Sequence, residues 1–234
     1  MIGGDKYFGQ ARADLVSIVR ELARRQDVQQ RLAEGKSRAS EFERPDFVWY
    51  ELLLSFSTMG NSRGKHGLID NPENFSRVQF KALELLGSTE ARIKQLRAVL
   101  QAAKVRMPAK KAEWLSAAFD RIASMGGPLA AKEQLQKSDA RKGMIQFWRE
   151  FDGIGEKYSR NIMMDVYHPE FRDSIAIDAR IKRISKAHGL SFKSYEDAEQ
   201  FFLGIAKEVG IEGWELDRMM YRFGNEFSKP MTAN

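Results

Sequence analysis

Apolar residues recur along this chain at intervals of three and four, the spacing that gathers them on one face of an α-helix. In "ARADLVSIVRELARRQDVQQRLAEG", Leu15, Ile18, Val19, Leu22 and Ala23 share a face, and Gly35 is the expected stop of a single helix. "PDFVWYELLLSFSTMG" opens on Pro45 and Asp46, which suit a helix start, and runs to Gly60. Its apolar residues surround the axis instead of lining one side, which predicts a buried central helix. "NFSRVQFKALELLG" and "STEARIKQLRAVLQAAKV" read as two amphipathic helices, and Thr89 and Glu90 suit the first turn of the second. "PAKKAEWLSAAFDRIASMGG" closes on Gly126 and Gly127, and "PLAAKEQLQKS" opens on Pro128.

Further on, "DARKGMIQFWREF" and "EKYSRNIMMDVY" are helices on either side of a Gly-Ile-Gly turn. "HPEFRDSIAI" reads as a loop with a short apolar end. "DARIKRISKAHG" closes on Gly189, and "SYEDAEQFFLGIAKEVG" opens with Ser194 and Asp197 at capping-box spacing. "EGWELDRMMYRFGNEF" is the last expected helix. Residues 175–177 form the only strand-like fragment, too short to found a sheet. The pattern predicts an all-α fold of about ten or eleven short helices, with "KSRASEFERPD" and "SRGKHGLIDNPE" as long loops. No repeat, heptad array or low-complexity segment stands out.

Composition narrows the chemistry. Of 234 residues, 43% are hydrophobic and 11% aromatic, enough for a sizeable core. No run of about 18 uncharged apolar residues suggests a membrane span. The opening "MIGGDKYFGQARADL" lacks a basic segment followed by an apolar one, so a secretory leader is not expected, and the expected location is the cytoplasm or nucleoid. With no cysteine, disulfides, thiolate zinc, iron–sulfur clusters and cysteine nucleophiles are excluded. His66, His168 and His188 show no metal-ligand spacing. The net charge of +6 favours a polyanionic partner, nucleic acid above all.

Two stretches carry candidate chemistry. In "FDGIGEKYSRNIMMD", Gly153 and Gly155 let two helices approach closely, and the following helix offers free N–H groups and the positive end of its dipole to a phosphate. Ile154 can turn inward, and Lys157 and Arg160 flank the turn with positive charge. A plain helix–helix turn is the competing reading. In "IAIDARIKRISKAHG", Ile175, Ile177 and Ile181 are apolar anchors, Asp178 stands at the expected N-cap, and Arg180, Lys182, Arg183 and Lys186 follow. Asp178 is either a plain cap, worth about 1 kcal/mol, or a carboxylate facing a polyanion.

Taken together, Gly-Ile-Gly-x-Lys followed by Ile-Ala-Ile-Asp-Ala-Arg resembles the helix-hairpin-helix DNA glycosylase superfamily. The likeness covers the hairpin and the aspartate closely. It extends more loosely to "YELLLSFSTMGNS" and "ELDRMMYRFG", and so spans roughly residues 46–227. The endonuclease III and oxidised-guanine glycosylase branches carry a lysine at the position of Lys157. The resemblance implies two helical parts with a cleft between them: residues 47–165 as a helical barrel ending in the hairpin, and residues 1–46 with 166–234 as a second part carrying the aspartate.

It further implies that Asp178 stabilises positive charge developing on the sugar, and that Lys157 attacks the sugar C1′ to form a Schiff base leading to β-elimination. Gly153, Ile154, Gly155, Arg160, Arg180, Lys182 and Arg183 would contact DNA. The flipped base needs apolar or aromatic walls. Phe147, Trp148, Phe151, Trp214, Met219, Met220, Tyr221 and Phe223 are candidates, with core packing as the competing role of each; Phe151, Trp214 and Met219 are foremost. The partner would be damaged double-stranded DNA and the protein a monomer, with no membrane association. No cofactor is expected, though the resemblance allows a monovalent cation at the hairpin. In "SFSTMGNS" the glutamine that many members use to fill the gap left by the flipped base is missing. Ser57, Met59 or Asn61 stands in its place. Arg180 replaces a common histidine, and the absence of cysteine rules out the endonuclease III cluster.

Three readings remain open at this point: a bifunctional glycosylase and lyase, a monofunctional glycosylase in which Lys157 meets only a phosphate, and a non-catalytic DNA-binding hairpin. The last has no need of Asp178 in its Ile-Ala-Ile-Asp setting.

Overall fold

The computed structural model describes residues 3–60 and 63–228, and among them there are α-helices and two 3-10 helices but no strand. The chain divides into two compact units, one built from the described residues of Met1–Ser40 and Met163–Asn234, the other from Glu41–Ile162. We call the first the terminal unit. No helix among the described residues is long and apolar enough to cross a membrane.

The chain opens with α1 (Gly3–Ala23) and α2 (Gln26–Lys36), where the periodicity predicts one helix. At the break, the Arg24 and Arg25 amides reach only three residues back, to Glu21 and Leu22. Arg25 is extended, and its guanidinium pairs with Asp27 at 2.7 Å and lies 5.1 Å over the Phe223 ring. The change of direction accompanies burial of Val28 and Leu32 on α2. Gly35 is not the stop. It lies inside α2, where a Cβ would come within 2.7 Å of the Trp214 ring. Glycine is required there for close approach.

Expected to be part of a long loop, Ser37–Glu43 is a 3-10 helix. The Glu41–Ile162 unit is then built around α3 (Phe47–Thr58), which is buried on nearly every side, as its all-round apolarity predicts. Trp49 donates to the Val78 carbonyl at 2.9 Å and meets Phe80 and Phe119 edge-on, while those two rings stack at 4.2 Å. Such ring pairs add about 0.5–1.5 kcal/mol each beyond area burial. The other expected long loop contains α4 (Arg63–Leu68) and the start of α5 (Pro72–Ser76). Its glycines explain the misreading: a Cβ at Gly64 would collide with the Ser57 carbonyl, and one at Gly67 with Ala103. They allow backbones to touch, and do not mark a loose segment.

The single helix expected over residues 74–87 is two, α5 and α6 (Phe80–Glu84). The turn between them turns the Val78 carbonyl to the Trp49 indole. α7 (Thr89–Ala102) is capped by the Ser88 side chain and packs on α8 (Pro108–Ser124). α9 (Pro128–Gln136) and α10 (Ala140–Arg149) follow, and α11 (Glu156–Asp165) leads out of the unit.

Back in the terminal unit, a 3-10 helix at Pro169–Phe171 precedes α12 (Ala179–Ala187), α13 (Tyr195–Val209), α14 (Gly213–Arg222) and α15 (Gly224–Phe227). The last expected helix is thus two, interrupted at Phe223, whose φ of −116° and ψ of 30° are not helical. The interruption accompanies burial of Phe227, whose carbonyl lies 2.7 Å from His188 Nε2. α1 packs on α13, α14 and α15, joining Leu15, Val19 and Leu22 to Phe202, Ile205, Leu216 and Met219 in one core.

Among the described residues, one lysine is fully buried. Lys111 on α8 donates to the Phe56 and Met59 carbonyls, at 2.8 and 2.9 Å, where α3 ends. Loss of hydration, and then repulsion from Arg106, lowers its pKa from 10.5 to about 8. The unfolded chain holds this proton to the higher value, so between about 8 and 10.5 the unfolded state binds more protons and stability rises with pH. In urea unfolding, the parent should therefore gain on Lys111→Met across that window, by at most about 1.4 kcal/mol per pH unit. A stability difference independent of pH would show that Lys111 keeps its ordinary affinity for the proton.

Candidate active site

The turn between α10 and α11 uses its two glycines differently. Gly153 has φ +82°, and a Cβ there would lie 2.6 Å from the Trp114 ring and 3.0 Å from Phe56. A Cβ at Gly155 would meet nothing within 4 Å. Ile154 is buried and its amide donates to the Phe151 carbonyl, so the turn is tied to the core as the sequence predicts. The Gly155 carbonyl accepts from Ser159 and opens α11. The N–H groups of the first turn have no acceptor within the helix, and Gly155 puts no side chain in front of them.

Glu156, in that first turn, pairs with Arg149 and Arg160, each at 2.6 Å. Arg160 is expected from the sequence to stand beside the turn as a DNA contact. It is instead buried, and also donates to the Glu156 carbonyl at 3.1 Å. Its guanidinium braces α11 internally, because a buried cation must keep its partners. Lys157 is half-buried, with Nζ 4.0 Å over the Tyr158 ring.

In the terminal unit, residues 174–177 are buried without belonging to a helix or a sheet. A buried amide without an acceptor costs about 1–3 kcal/mol. Three successive amides avoid this through side chains: Ile175 donates to Glu199 at 3.1 Å, Ala176 to Asp217 at 2.8 Å, and Ile177 to the Tyr195 hydroxyl at 2.9 Å. Asp178 follows and is the N-cap of α12, accepting from the Arg180 and Ile181 amides at 2.8 and 3.0 Å. Both bonds fall on Oδ1; Oδ2 takes no part in the cap. Arg180, Lys182 and Arg183 are exposed, while Ile181 and Ile184 are buried. Arg180 stacks 3.9 Å over Tyr221, an exposed ring that also has Arg222 at 5.8 Å. The exposed parts of α12 and α14 thus join positive charge to an aromatic face, a combination suited to a nucleic-acid strand.

The expected base pocket fares differently. Ser57 is buried and donates back to the Leu54 carbonyl at 2.7 Å. Phe151 is buried among Phe147 and Trp148, with Arg121 5.7 Å over its ring. Trp214 is buried and donates to the Met164 carbonyl at 2.6 Å, and Met219 is buried in the terminal core. These four are core side chains of their own units, held there by the area they bury. Met59 is half-buried, its carbonyl taken by Lys111. Asn61 lies outside the described residues. Lys157 belongs to the Glu41–Ile162 unit and Asp178 to the terminal one.

Sequence reasoning missed Glu199, Asp217 and Lys111. Each sits within an amphipathic helix, and nothing in the local pattern separates an inward carboxylate or ammonium from a solvated one. The described residues hold no group of three His, Cys, Asp or Glu suited to a metal. A cation at the hairpin would depend on backbone carbonyls, of which those of Phe151 and Gly155 already accept amide protons.

No protein-family model matches the chain, and no curated protein does. Solved structures do. The 8-oxoguanine DNA glycosylase of Methanocaldococcus jannaschii aligns with 89% of this chain and 92% of its own, at TM-score 0.64 and 19% identity. The 8-oxoguanine glycosylase/lyase of the same organism, in complex with a 15mer DNA containing 8-oxoguanine, aligns with 90% of this chain and 97% of its own, at TM-score 0.61 and 20% identity. At this identity the likeness establishes a shared all-α fold.

The two glycines of the turn should respond differently to a methyl group. Gly153→Ala should lose about 3 kcal/mol in denaturant unfolding, from roughly 1 for the left-handed backbone and 2 for overpacking against Trp114. Gly155→Ala should stay within about 1 kcal/mol of the parent. Equal effects would mean that the turn is held some other way.

Proposed function

We propose that the protein is a DNA glycosylase that releases 8-oxoguanine from double-stranded DNA and then cleaves the strand as a lyase. The observation that carries the proposal is Asp178. In a chain with the fold of 8-oxoguanine glycosylases, it caps the basic helix α12 through one oxygen and keeps the other outside the cap.

In the proposed reaction, the lesion leaves the base stack, since its glycosidic bond is out of reach inside the duplex. The departing base takes the electrons of the N-glycosidic bond, and the sugar passes through a cation-like state that the Asp178 carboxylate stabilises. The Lys157 side chain gives up a proton, which the departing base takes, and its nitrogen forms a bond to C1′. Ring opening gives the Schiff base, loss of a C2′ proton expels the 3′ phosphate, and water then frees the lysine. The basic residues of α12 and the first-turn amides of α11 hold the backbone. The protein acts as a monomer and needs no cofactor for these steps.

A second reading has its own support. Lys157 lies against Tyr158 in the first turn of α11, a place suited to a phosphate. Lys157 would then only grip DNA, and Asp178 would assist a water molecule.

Borohydride trapping on an 8-oxoguanine duplex separates the readings. The parent should form a covalent adduct that Lys157→Gln cannot form. Base release without nicking before alkali would favour the monofunctional reading. Asp178→Asn should slow single-turnover base release by about 10²–10³-fold. Salt-sensitive binding without any base release would leave only a DNA-binding module.

A further inference from the structure

The segment before Asp178 is built as a strand without a sheet. Ser174 and Ile175 are wholly buried, and Ala176 and Ile177 are 3% and 7% exposed. Successive amides of an extended chain point to opposite sides, and the acceptors alternate to match. Ile175 and Ile177 donate to Glu199 and Tyr195, both on α13, while Ala176 donates to Asp217 on α14. Tyr195 does double duty: its hydroxyl accepts from the Ile177 amide and donates to the Ile175 carbonyl, both at 2.9 Å. Glu199 and Asp217 are themselves buried. Carboxylate acceptors give a stronger hydrogen bond than neutral ones, and a buried one has little freedom to wander.

We propose that Tyr195, Glu199 and Asp217 are positioning residues, which fix residues 175–177 from both sides and so set the direction in which Asp178 offers its carboxylate. The proposal rests on the glycosylase reading. Asp178 is bonded through Oδ1 to the two amides that open α12. With that oxygen held, the backbone of Ile177 and Asp178 decides where Oδ2 points. A displacement of about 1 Å at a reacting group can cost about 10²-fold in rate.

The test compares variants of the full chain in single-turnover base release from an 8-oxoguanine duplex, beside affinity for the same duplex and thermal unfolding. Tyr195→Phe should slow base release at least about 10-fold, and Glu199→Met and Asp217→Leu by up to about 10²-fold, with affinity within about twofold of the parent. Glu199→Gln and Asp217→Asn, which keep an acceptor oxygen, should stay within about threefold. In an Asp178→Asn background Tyr195→Phe should cost nothing further, because its effect passes through Asp178. If the apolar variants do not fold, Tyr195→Phe, the amide variants and the double mutant decide. A folded Tyr195→Phe protein with the parent's rate overturns the proposal, as does a loss confined to affinity, or an equal loss in the Asp178→Asn background. In these cases the glycosylase reading survives. A parent that releases no base overturns both.

Discussion

A chain of many short helices has many ends, and each end leaves backbone groups that must find partners once water is gone. Much of this protein is organised by that constraint. Where α3 ends, Lys111 takes the Phe56 and Met59 carbonyls. The Trp49 indole serves the turn between α5 and α6, and the Trp214 indole serves the end of α11. His188 meets the carbonyl at the end of α15. The most demanding case is the segment at residues 175–177, which has neither a helix nor a neighbouring strand and takes its acceptors from α13 and α14.

The same constraint bears on the chemistry we propose. A carboxylate that stabilises a transient cation is useful only if it need not reorganise when the charge forms. In the role we propose for it, Asp178 is held by the first-turn amides of α12, and the three residues before it are bonded to α13 and α14. The hairpin is treated in the opposite way. Gly153 and Ile154 press the turn into the core, whereas Gly155 leaves the start of α11 bare. Charge is apportioned accordingly. Arg160 and Glu156 pair within α11, whereas Arg180, exposed on α12, stacks on Tyr221.

The helical pattern was legible because period-3.6 apolar spacing is a local property, readable without knowing the partner surface. α3, α7, α8 and α13 lie where the spacing predicts. Errors gathered where glycine or a helix break depends on distant atoms. Gly35 reads as a stop but answers to Trp214, and Gly64 and Gly67 read as loop residues but answer to Ser57 and Ala103. The apolar candidates for the pocket walls are ambiguous for the same reason, since an aromatic side chain in sequence does not say whether its other face is protein or ligand.

That the chain is helical, that a Gly-Ile-Gly turn precedes Lys157 and that Asp178 opens a basic helix are all written in neighbours only a few positions apart. Folding alone makes Arg160 an internal brace, stacks Arg180 on Tyr221, and turns Glu199, Asp217 and Lys111 inward to serve the backbone. Apart from the i,i+4 pair of Arg160 with Glu156, those roles depend on what faces a side chain across a core, tens of residues away, and no local pattern carries that information.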